Sequence, residues 1–83
     1  MARIKKRLEK IRNNPRNASR EEIISILLYF DYIEEGGSGS HRCFRHPLLP
    51  GRPLTVPMTI FPKVVKQVLE SIDQLMEQTD YEL

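Results

Sequence analysis

The chain has a single cysteine, Cys43, and no tryptophan among its 83 residues. One thiol closes no internal disulfide, and a reducing cytoplasm is the compartment it suggests. No apolar run approaches the roughly 18 residues of a membrane span. The longest, Ile23 to Phe30, is broken by Ser25. The start carries no apolar h-region and no small-residue cleavage site, so neither a secretory leader nor a membrane partner is expected. There is no internal repeat, no low-complexity tract and no carboxylate cluster suited to a metal. Length excludes a cleft between domains, since a chain this short buries roughly 60–65% of its unfolded surface around one modest core.

Charge is what the sequence does have, and it is unevenly placed. Residues 1–20 hold eight basic groups (Arg3, Lys5, Lys6, Arg7, Lys10, Arg12, Arg16, Arg20) against one acid, Glu9. Residues 67–83 hold five acids (Glu70, Asp73, Glu77, Asp80, Glu82) and no base. Such asymmetry suggests a polyanion met at one end, or a basic extension; the plainer reading is solvated helix faces.

Hydrophobic spacing sets out the elements. Ile4, Leu8 and Ile11 recur at helical spacing and predict a short amphipathic basic helix that stops near Asn13-Asn14-Pro15. Ser19-Arg20-Glu21-Glu22 fits a capping box, opening a helix to about Tyr29–Asp31 that is apolar on more than one face. Three strand-like segments follow: Tyr32 to Glu35, His41 to His46, and Leu54 to Met58. Gly36-Gly37-Ser38-Gly39-Ser40 and Pro50-Gly51 separate them as turns. Pro62 suits the first position of a last helix, whose face is Val64, Val65, Val68, Leu69, Ile72, Leu75 and Met76. The expected fold class is α+β: a two-layer sandwich with a three-stranded antiparallel meander, two helices on one face and the basic helix in front. The division expected is residues 1–18 as basic extension, 19–78 as the domain and 79–83 as an acidic tail.

Gly39-Ser40-His41 is the segment with chemical potential. Glycine lets backbone approach a ligand closely, and successive N–H groups can form an anion nest. Histidine at once follows, with an unperturbed pKa of about 6.5, and Arg42 and Arg45 add fixed positive charge. Lys63 and Lys66 in the first turns of the last helix oppose its dipole but suit a phosphate there. No Gly-Lys-Ser/Thr follows, so the loop is not a P-loop. The alternative is a flexible hairpin loop and a strand histidine with no chemical role. His41 and His46 differ by an odd number, so a regular strand sends them to opposite faces. This argues against an acid–base pair and against zinc held by His41, Cys43 and His46, and leaves His46 as a cap before Pro47. Cys43, Tyr29, Phe30, Tyr32 and Phe44 read first as core or sheet residues.

Gly-Ser-His-Arg-Cys-Phe-Arg-His-Pro (39–47), then Pro-Leu-Thr-Val-Pro (53–57), then Val-Val-Lys-Gln-Val-Leu (64–69) closely resembles HicA-type mRNA interferase toxins over roughly residues 19–76. The resemblance implies a fold similar to double-stranded RNA-binding domains, in agreement with the α-β-β-β-α order above. It implies a ribonuclease toxin of a type II toxin–antitoxin system, with mRNA as substrate and a HicB-type antitoxin as partner. The family's essential histidine falls on His41. Where many members carry a basic residue and then histidine after Val-Pro, this chain has Met58 and Thr59.

On that reading, neutral His41 takes the proton of a ribose 2′-hydroxyl, which attacks the adjacent phosphorus, with no cofactor or metal required. Gly39, Ser40, Arg42, Arg45, Lys63 and Lys66 are the RNA-binding candidates. Two other readings stay open: a non-catalytic RNA-binding module, and a protein-interaction domain with a basic face. An exposed sheet edge and the basic helix are compatible with a homodimer.

Overall fold

A computed structural model of the chain describes residues 2–37 and 39–79. Helix α1 (Ala2–Asn13) is followed by a 3₁₀ turn (Pro15–Asn17) and helix α2 (Arg20–Tyr29). Strands β1 (Ile33–Gly37), β2 (His41–Arg45) and β3 (Leu54–Pro57) come next, and helix α3 (Pro62–Gln78) closes the order. The sheet is antiparallel with strand order β1-β2-β3, so β1 and β3 are its edges. Phe44 pairs with Leu54 on the face that α2 and α3 cover, and both are buried. Cys43 pairs with Thr55 on the open face. The α+β architecture expected from patterning is the one observed. Of the acidic tail at 79–83, only Thr79 lies within the described residues.

Local chemistry explains where the elements begin and end. Ser19 Oγ accepts from the Glu22 N–H and the Glu22 carboxylate accepts from the Ser19 N–H, each at 3.1 Å, which completes the capping box of α2. The helix stops in a Schellman arrangement. Asp31 takes φ +69°, its N–H reaches the Leu28 carbonyl, and the Tyr32 N–H reaches that of Leu27. Aspartate is among the few residues that visit this conformation without glycine. β1 runs two residues further than predicted, into the glycine run. A bulge falls between Glu34 and Gly37, where Gly36 and Gly37 take φ +65° and +82°, and the ladder resumes with Gly37 opposite Arg42. β3 ends one residue early, and Met58, expected to alternate inward with Leu54 and Val56, is 61% exposed.

The basic segment at residues 2–13 packs its apolar stripe into the same core as the rest. Ile4, Leu8 and Ile11 are buried with Ile23, Ile26, Leu27, Phe30, Val65 and Ile72. Its polar side chains tie it to two helices. Arg7 donates to Ser25 Oγ (2.9 Å), Lys10 pairs with Glu22 (3.1 Å), and Arg12 grips both oxygens of Asp73. Inside α3, Ser71 is buried and shares a 2.6 Å hydrogen bond with the Tyr32 hydroxyl. Burial pushes that phenol above its ordinary range, with the Ser71 bond opposing.

The cap makes acid stability testable. The bond from the Ser19 N–H, assisted by Lys10 and opposed by burial, holds the Glu22 carboxyl below its usual range. A carboxyl with a depressed folded pKa contributes stability above its unfolded pKa of about 4.3, and that contribution fades as pH falls through the folded value. Glu22→Ala is expected to lower Tm at pH 7 by the equivalent of about 1 kcal/mol. The gap to wild type should narrow from pH 5 to pH 3 in thermal melts. A gap independent of pH would remove the carboxylate from the account.

Candidate functional site

β2 carries the histidine and arginines singled out in the sequence, and its pleat divides them. His41, Cys43 and Arg45 share the open face, whereas Arg42 and Phe44 point toward the helices. His41 is exposed at the start of the strand and lies opposite Pro57. Its Nδ1 is 3.2 Å from Ser40 Oγ. When Nδ1 carries the proton and donates to that hydroxyl, Nε2 keeps the free lone pair that a general base needs.

His46 has a different role. It is 4% exposed, its Nε2 is 2.8 Å from the Phe30 carbonyl, and the Leu48 N–H donates to its Nδ1 at 3.0 Å. An Nδ1 that accepts leaves the proton on Nε2, which donates to Phe30. The ring also meets Tyr32 edge-on at 5.0 Å. His46 thus joins the end of α2 to the turn after β2. His41 and Cys43 face the opposite way, so the three do not converge on a metal. Among the described residues no group of three or more His, Cys, Asp or Glu could hold one.

The two arginines are each matched by an acid. Arg42 makes two 2.6 Å hydrogen bonds to Glu34 and lies 5.7 Å from the centroid of Phe44. Arg45 pairs with Glu35 at 2.5 Å. Arg42 holds the Glu34 carboxyl below its ordinary range against a small desolvation effect, with the charge of Arg20 adding to it. The same bond raises Arg42 above the usual guanidinium value. Both pairs are exposed and worth little to stability. They set the arginines' orientation and cancel much of their charge.

Gly39 is not the sterically demanding glycine. A Cβ there would meet nothing within 4 Å. At Gly37 it would overlap the His41 carbonyl oxygen and sit 3.1 Å from the Cys43 nitrogen. The close backbone approach anticipated at Gly39 belongs two residues earlier. What Gly39 supplies is its carbonyl, which accepts from Arg20 Nη2 at 2.9 Å. Arg20 begins α2, and its Nη1 is 3.7 Å from Met58 Sδ. Sequence reading placed Arg20 only in the basic run and the capping motif. No local pattern signals that it reaches a loop 19 residues away.

Lys63 and Lys66 are exposed in the first turns of α3. Neither forms a hydrogen bond or ion pair with the described residues, so both charges remain free. Lys66 borders a groove of about 500 Å³ with Arg12, Pro62, Val65, Leu69 and Asp73. The structure therefore gathers Gly39, Ser40 and His41, turns Arg42 to the other face of β2 and engages Arg45 with Glu35, while Lys63 and Lys66 belong to α3.

No helix of the described residues is long and apolar enough to cross a membrane. No protein-family model, curated protein or solved structure matches the chain.

Proposed function

We propose that this chain is a metal-independent RNA endonuclease of the HicA type, the toxin of a pair whose HicB-type antitoxin restrains it. His41 acts as general base on a ribose 2′-hydroxyl. The freed 2′-oxygen bonds to the adjacent phosphorus, the 5′-oxygen leaves and takes up a proton from water, and a 2′,3′-cyclic phosphate and a 5′-hydroxyl result. The observation that carries the reading is His41 itself, an exposed imidazole in the Gly-Ser-His segment with Nδ1 beside a hydroxyl. Arg42 and Arg45 are held by Glu34 and Glu35, so the reading rests on His41 as base rather than on a cradle of cations.

Purified protein incubated with single-stranded RNA tests this. His41→Ala is expected to lower cleavage by about 10²–10⁴-fold, the usual contribution of one positioned base. Its Tm should stay near wild type, because the ring is exposed. Equal cleavage by both proteins, or none by either, overturns the nuclease reading. The carboxylates on Arg42 and Arg45 favour a second reading, a binding module without chemistry. RNA held equally well by both proteins and cut by neither would select it.

A further inference from the structure

We propose that Arg20 is a positioning residue for His41, an inference that rests on the nuclease reading for its catalytic arm only. The guanidinium grips both chain segments just beyond the His41–Pro57 pair. Gly39, whose carbonyl it binds at 2.9 Å, lies two residues before His41. Met58, whose sulfur it approaches at 3.7 Å, directly follows Pro57. One side chain at the start of α2 thus links the helix layer to the two segments that set the height and direction of the imidazole.

The cost of this arrangement is visible. Arg20 Nε is buried and has no hydrogen-bond partner. A buried donor without an acceptor is destabilising, and native structures rarely keep one without a reason. Stability alone would favour an apolar side chain here, and Met58, at 61% exposed, needs no such cover. The forked guanidinium can reach a carbonyl and a sulfur together, which the single ammonium of lysine cannot. The fold therefore tolerates an unsatisfied donor and gains a fixed loop, as expected where function and stability pull apart.

Two variants and two readouts test the assignment. Arg20→Leu removes the unsatisfied donor and both tethers, so its Tm should equal or exceed that of wild type. Its loop should loosen: the backbone ¹⁵N heteronuclear NOE at Gly39, Ser40 and His41 should fall, and the His41 ring resonances should shift. Arg20→Lys keeps a donor for Gly39 and should lie between the two. In RNA cleavage, Arg20→Leu should lose about 10–100-fold in kcat with KM within about threefold, the pattern of a misplaced group rather than a lost contact. Unchanged loop NOE values and ring resonances in both variants would overturn the proposal. So would a raised KM with unchanged kcat, which would make Arg20 an RNA contact. If Arg20→Leu fails to fold, the same criteria apply to Arg20→Lys. If wild type cuts no RNA, the nuclease reading falls while the spectra still decide the role of Arg20.

Discussion

Gly37→Ala is expected to lower Tm by roughly 10–25 °C, the equivalent of about 2–4 kcal/mol in a domain of this size. Two penalties coincide at this residue. Its φ of +82° is one that side chains bearing a Cβ rarely adopt. The new methyl would also overlap the His41 carbonyl oxygen and crowd Arg42 Cα at 3.3 Å. All of these are backbone atoms, so relief requires the hairpin to open rather than a side chain to turn. Gly36 and Gly39 are internal controls. Gly36→Ala meets open space at φ +65° and should cost only the conformational penalty. Gly39→Ala meets nothing and should be near neutral. The expected order of Tm is therefore Gly39→Ala, then Gly36→Ala, then Gly37→Ala. Equal melting of the Gly37 and Gly39 variants would contradict the bulge geometry. Because the overlap falls on the carbonyl of His41, Gly37→Ala should impair any chemistry at that residue as well.

His46→Ala is the second large loss, expected at about 3–5 kcal/mol. It opens a cavity beside Tyr32 and leaves the Phe30 carbonyl and the Leu48 N–H without their partner. Total stability for 83 residues is on the order of 4–12 kcal/mol, so this variant should be barely folded at 37 °C. His46→Gln can still donate to Phe30, and His46→Asn can still accept from Leu48. Each should recover part of the deficit in urea denaturation. Equal stability of all three variants would show that the hydrogen bonds contribute nothing beyond the ring's volume. With His41→Ala near neutral, the two histidines of this chain separate cleanly, one exposed at the start of β2 and one built into the core.

That division is legible in the sequence, because strand alternation depends only on counting residues along β2. The capping box of α2 and the proline start of α3 are legible for the same reason, being written within four residues. Contacts between distant segments are not. Arg12 and Asp73 are 61 residues apart and Lys10 and Glu22 are 12 apart. Read along the chain, the first helix is a basic stretch awaiting a polyanion. In the fold three of its cations are engaged in docking it, and Arg3, Lys5 and Lys6 remain outward. The glycine run announces a turn, but the atom that makes Gly37 indispensable lies across the hairpin. Arg42 and Arg45 read as free cations because the register that brings Glu34 and Glu35 to them depends on the bulge in β1. Ser71 looks like an interruption of an apolar face until Tyr32 is placed above it.

The rims of the sheet are guarded by unlike means. Along β1, two carboxylates and a kinked glycine pair discourage a further strand from zipping on. Along β3, Pro53 and Pro57 bracket Leu54, Thr55 and Val56 and offer no amide hydrogens. Both devices are familiar defences against edge-to-edge aggregation. This small sheet is therefore poorly suited to growth sideways into a larger assembly, and a molecule that engages it meets the open-face side chains of Ile33, half-buried Cys43 and Thr55 rather than a ladder of free peptide groups.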